Sequence, residues 1–258
     1  MEHWEYKRIV PGSDTAVLFV HGIVGTPAHF APLVPLVPEG WSVHNLMLAG
    51  HGAGVGEFGR ATMDQWKKQV HRALEQLRQC YARVFIVAHS MGTLLAIREA
   101  VEDPRRLAGL FLQAVPTRPW LPIKTAWAAL RLALGCPGRN KTAHAMAADT
   151  SVRLTWQLWR YLPWLRPFTQ LLAEARRTCA LVPHLRVPTL IFQSRRDELV
   201  SFGACKDLTN PCMRVTVLYG SGHFSYGAQD LAAMQKAFDR MLRGLAFDEK
   251  SATIDSEQ

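Results

Sequence analysis

Cysteine is scarce: five occur in 258 residues, an odd number, at Cys80, Cys136, Cys179, Cys205 and Cys212. None forms a C-x-x-C pair, so neither a disulfide framework nor a thiolate metal site is expected, and free thiols are. Long apolar runs are missing. No stretch approaches the roughly 20 residues that a membrane helix needs. Met1–Glu5 lacks a basic stretch followed by an apolar core, so no signal peptide is expected and the cytoplasm is the expected location. Charge of one sign never accumulates. The formal net charge is +9, yet the basic residues are scattered, with only short clusters such as Arg105-Arg106 and Arg195-Arg196. With no nucleic-acid-binding motif, this reads as a solvated basic surface and predicts no nucleic-acid partner.

Two further absences narrow the chemistry. His21, His51, His89 and His223 are dispersed, without H-E-x-x-H or paired-cysteine spacing, so no metal is expected. Gly52, Gly54 and Gly56 are crowded, but neither a G-K-[ST] nor a G-x-G-x-x-G form precedes a helix there. A bound nucleotide cofactor is therefore not expected.

What is present is a rhythm. Short apolar runs at Ala16–Val20, Ser42–Leu48, Arg83–Ala88, Leu107–Ala114, Val187–Gln193 and Met213–Leu218 read as buried strands. Helical spacing separates several of them, at Ala61–Cys80 and Met91–Val101, and closes the chain at Gly227–Leu245. Alternation of this kind predicts an α/β fold with a mainly parallel sheet flanked by helices. The segment 116–183 breaks the rhythm with helical stretches, prolines and five tryptophans. It is read as a helical cap inserted into a core formed by 1–115 and 184–246, with 247–258 as a polar tail.

Ala88-His89-Ser90-Met91-Gly92 lies between a predicted strand and a predicted helix. A serine on such a turn is lifted clear of the sheet and stands at a helix N-terminus, where developing negative charge is favoured. Serving only as a helix cap is the bland alternative. His223, in Ser221-Gly222-His223-Phe224, follows the last strand and can exchange a proton near neutral pH. Asp197 follows the strand before that and can orient the imidazole; spacing leaves its neighbour Glu198 open as the acid. The order Ser90, Asp197, His223 is that of an α/β-hydrolase triad. The loop His21–Thr26 can aim the Ile23 N–H at an oxyanion beside the Met91 N–H.

With these residues in view, the chain resembles the α/β-hydrolase superfamily, and within it bacterial carboxylesterases and monoacylglycerol lipases. The resemblance rests on VLFVHGIVGTPAHF (17–30), LMLAGHGAG (46–54), VAHSMG (87–92), QSRRDELV (193–200) and GSGHF (220–224). Ala88 departs mildly from G-x-S-x-G, and the insertion departs further from the family's cap pattern, which leaves substrate choice open. The resemblance implies an α/β-hydrolase fold and ester hydrolysis through an acyl-enzyme, with no cofactor and an ester or lipid substrate. His89, Trp127, Trp156 and Trp159 are candidate pocket residues, and the insertion is a candidate for transient contact with a lipid surface. The same triad could cleave a thioester, an amide or a carbon–carbon bond, or the fold could serve as a catalytically silent binding protein.

Overall fold

A computed structural model describes residues 3–245. Seven strands form one sheet: β1 (Tyr6–Arg8), β2 (Thr15–Val20), β3 (Ser42–Leu46), β4 (Arg83–His89), β5 (Leu107–Gln113), β6 (Thr189–Ser194) and β7 (Met213–Leu218). Their spatial order is β1-β3-β2-β4-β5-β6-β7. All pairings are parallel except that of β1 with β3. The tail at 247–258 lies outside the described residues.

Side chains alternate across the strands, and both faces are buried. Ala16, Leu18, Ile86, Leu110 and Ile191 point to one face. There they meet α2 (Met63–Cys80) and α3 (Met91–Glu102), which bring Trp66, Leu74 and Leu94. Val17, Phe19, Phe85, Phe111 and Phe192 point to the other, against Met234 and Phe238 of α7 (Ala228–Leu242). Burial on two faces is why these strands read as continuous apolar runs.

Two elements escaped the sequence reading. β1 is Tyr-Lys-Arg, mostly exposed, with no apolar signal. A short helix at Val55–Arg60 (α1) occupies part of the glycine-rich segment; its N-cap is Gly54, which offers no side-chain cap. Between β5 and β6 the chain runs through α4 (Ile123–Ala133), α5 (Lys141–Ala148), a 3-10 turn (Leu158–Trp164) and α6 (Leu165–Leu181). α6 belongs to the sheet's helical layer. Its Glu174, fully buried, meets Lys67 of α2 at 2.7 Å and Arg98 of α3 at 3.5 Å.

Parallel topology sends the carboxyl ends of β2, β4, β5, β6 and β7 to one edge, where open α/β sheets gather their ligands. No helix among the described residues is long and apolar enough to cross a membrane.

Candidate active site

Ser90 stands between β4 and α3 with φ 51° and ψ −124°. A non-glycine residue held at positive φ is strained and persists only where its surroundings enforce it. Here the Ser90 N–H donates to the Gln113 carbonyl at 2.9 Å, and the Ser90 carbonyl accepts from the Thr93 N–H and hydroxyl. Two glycines make room. A Cβ at position 92 would collide with the Val20 carbonyl, and one at position 22 would stand 2.8 Å from the Ser90 Cβ. Ala88 is fully buried in β4.

Across the edge, the His223 Nδ1–H donates to the Asp197 carboxylate at 3.0 and 2.9 Å. Asp197 is fixed in turn, because its Oδ1 accepts the Leu199 and Val200 N–H groups at 2.8 and 2.7 Å. Glu198 takes a different place: it accepts the backbone N–H of His223 at 2.5 Å. The geometry therefore separates the two acids, one on the ring and one on the main chain. Burial pushes the His223 pKa down, but the Asp197 charge and hydrogen bond, helped by Asp149 and Glu198, carry it above its ordinary value.

His89 joins the two halves. Its Nε2–H donates to the His223 carbonyl at 3.2 Å, and the two rings lie 4.8 Å apart. Burial, together with the neighbouring imidazoles, holds His89 neutral. Ser90 and His223 thus reach the same edge, although the Ser90 hydroxyl makes no hydrogen bond among the described residues. The Met91 N–H lies in the first turn of α3, where no intrahelical acceptor exists. Ile23 sits in the loop after β2. That loop is braced by His21, which accepts the Leu48 N–H at 3.1 Å and donates to the Gly22 carbonyl at 2.9 Å. Burial lowers the His21 pKa to about 4, so this brace is uncharged near neutrality.

An apolar cavity of about 480 Å³ opens beside these groups. Gly22, Ile23, His89 and His223 line its polar end; Leu130, Leu154, Leu158, Trp164 and Phe168 line its apolar wall. Of the four pocket residues predicted from sequence, only His89 is here. Trp127, Trp156 and Trp159 are more than half exposed and do not line the cavity. They extend from the helical stretch into solvent, while Trp164 turns inward: it lines the cavity, and its indole N–H donates to the Val55 carbonyl at 2.9 Å.

One cluster was not predicted from the sequence. His29 stacks on His89 with ring centroids 3.8 Å apart, and its Nδ1–H donates to Asp149 at 2.8 Å. Its Nε2 lies 3.2 Å from Gln113 Oε1 and 3.1 Å from the Tyr226 hydroxyl. His29, His89 and Asp149 could offer one metal-ligand atom each within 4.8 Å. The His29 and His89 rings, however, are stacked, 21° from parallel. Both His29 nitrogens and the His89 Nε2 already have partners, so the cluster is built as a hydrogen-bonded network.

Comparison with known proteins agrees with this architecture. Residues 12–217 match the family described as serine aminopeptidase, S33. The thermostable monoacylglycerol lipase of Bacillus sp. (strain H-257) is 27% identical over 191 residues, 72% of either chain. The monoacylglycerol lipase of Paleococcus ferrophilus superposes with a TM-score of 0.65 at 16% identity, over 94% of this chain and 99% of that one. A structure from work on LipS and LipT, two metagenome-derived lipolytic enzymes, gives 0.64 at 22% identity, over 93% and 96%. The chain belongs to the serine aminopeptidase S33 family and is a hydrolase with the α/β-hydrolase fold.

Proposed function

We propose that this protein hydrolyses carboxylic esters with an apolar acyl chain, such as monoacylglycerols or short-chain esters, through an acyl-enzyme on Ser90. The observation that carries the reading is the strained Ser90 turn at one end of an apolar cavity whose lining includes the Asp197-bonded His223. In this mechanism the Ser90 hydroxyl turns to His223 and gives its proton to Nε2 as Oγ attacks the ester carbonyl. The oxyanion is held by the Ile23 and Met91 N–H groups. The imidazolium returns the proton to the leaving alcohol. Water then repeats the sequence in deacylation, releasing the acid and restoring Ser90. Asp197 fixes the tautomer and stabilises the imidazolium. Residues from the stretch before α6 act as a cap, supplying much of the apolar wall that receives the acyl chain.

The family description favours a second reading, cleavage of an amide beside a free amino terminus. An ammonium group would need a carboxylate in the pocket. Asp149 is the acid that lines the cavity among the described residues, and it is already bonded to His29. That supports the ester.

A fluorophosphonate probe and a substrate panel test this. Folded protein should be labelled, Ser90→Ala should lose labelling and turnover, and p-nitrophenyl esters should outrun thioesters and aminoacyl anilides. Faster turnover of either competitor, or no labelling of folded protein, removes the proposal.

A further inference from the structure

The helical stretch between β5 and α6 is unusual in what it leaves exposed. Among the described residues, eighteen large apolar side chains are exposed, and twelve of them fall between Trp120 and Leu172. Ile123 is 90% exposed, and Leu162 and Leu165 are each 66%. Isolated exposed apolar residues are ordinary, but a concentration of this kind marks a surface that meets something.

The charges say what. Residues 119–172 hold seven Lys or Arg and a single acid, Asp149, whereas the whole chain holds 21 acids. Asp149 is turned inward onto His29, its side chain only 9% exposed. Lys124, Arg139, Lys141, Arg153, Arg160 and Arg166 are exposed. None of these six makes an ion pair among the described residues. Outwardly the stretch is therefore apolar and cationic with no exposed carboxylate. A protein partner would be expected to answer such a face with its own acids; a bilayer answers it with apolar depth and a layer of anionic headgroups at once.

The aromatic content fits the second. Trp156 and Trp159 meet edge to face with centroids 5.9 Å apart, both more than half exposed, and Trp120 and Trp127 are exposed as well. Tryptophan favours the boundary between headgroups and acyl chains, and lysine and arginine beside it can keep their charge among the headgroups. The face is also joined to the cavity. Leu121, Leu158 and Phe168 come from three different segments of the stretch; each is exposed, and each lines the cavity. The apolar surface thus continues from the outside of the stretch into the pocket.

We propose that the surface from Trp120 to Leu172 docks on an anionic lipid bilayer, with the tryptophans and leucines entering the interface and the six exposed cations meeting headgroup phosphates. Docking presents the cavity mouth to the bilayer. The proposal concerns binding and stands whether or not the ester reading holds.

The test uses the full chain carrying Ser90→Ala, which is silent toward lipid under the mechanism above. Co-sedimentation is measured with vesicles of phosphatidylcholine alone and of phosphatidylcholine mixed with phosphatidylglycerol. Partition into the mixed vesicles should be about tenfold stronger or more, and high salt should erase the difference. Tryptophan emission should shift to the blue on binding. The triple variant Lys124→Glu/Arg160→Glu/Arg166→Glu should lose the preference while keeping the far-ultraviolet dichroism of the parent. In the active background it should keep its rate on a soluble ester. If that variant misfolds, the salt titration of the parent decides. Equal partition into both vesicle types, or no partition into either, overturns the proposal. So does a concentration-dependent dimer in sedimentation velocity that fails to bind vesicles, since a second copy would then be what covers the face.

Discussion

Glu198 holds His223 by its main chain, at 2.5 Å, while Asp197 holds it by its ring, at 2.9 Å. Adjacent acids with different grips should fail differently. Asp197→Asn should lower kcat by about 10,000-fold, because the wrong tautomer is then favoured at Nδ1. Glu198→Ala removes a loop anchor and a lesser charge beside His223, and a loss on the order of tenfold is expected, with a small drop in Tm. Steady-state rates on a p-nitrophenyl ester check both. Equal losses would show that the two acids share the role.

The pH profile follows from the charges around His223. Asp197 and Glu198 face it from the loop after β6, His89 from β4, and Asp149 from the end of α5. The carboxylates favour the imidazolium, so the neutral base appears only above the ordinary value of 6.5, and kcat/KM should rise with pH through that raised value. Asp149→Asn removes one of those anions and should move the acid limb to lower pH. A limb that stays in place would show that Asp149 does not act on His223. The same raised pKa makes protonated His223 a stabilising group below about pH 6.5. That contribution fades as pH climbs through the folded value.

Glycine substitutions should separate fold from chemistry. Gly92→Ala drives a methyl into the Val20 carbonyl and should destabilise by about 1–3 kcal/mol, read in urea unfolding. Gly22→Ala meets the Ser90 Cβ at 2.8 Å instead. It should displace Ser90, the proposed nucleophile, and cut kcat with a smaller change in stability. The reverse ranking would mean that the Ser90 turn tolerates crowding.

Glu174 ties α6 to two other helices. Lys67→Met leaves its buried carboxylate with only the more distant Arg98 and Arg177, each at 3.5 Å, and should cost about 3 kcal/mol. Adding Glu174→Leu should recover much of that loss, since the uncompensated charge goes with it. A double-mutant cycle by urea denaturation measures the coupling, and additive losses would contradict it.

Much of this was legible in the sequence because the parallel strands are buried on both faces and read as plain apolar runs. Ser90, Asp197 and His223 could be picked out as candidates because each lies in the loop or turn that follows such a run. β1 was not, since three exposed residues at a sheet edge carry no apolar pattern. The tryptophans misled for a physical reason. An aromatic residue in a helical stretch can face a cavity or solvent, and composition does not distinguish them. His29 and Asp149, 120 residues apart, lie in segments with no strand or helix periodicity to align them. One clue existed: Asp149 is the sole acid in 119–172, and a solitary acid among cations and apolar side chains calls for a local explanation.

The twist at Ser90 survives only while the end of β5 receives its N–H and Thr93 secures its carbonyl. The geometry of the proposed nucleophile is therefore a product of strand pairing completed at the rim, the part of a sheet most ready to loosen. In rising denaturant, catalytic competence should vanish before the aromatic interior around Trp66 gives way, so the enzyme would be inactivated while still largely folded.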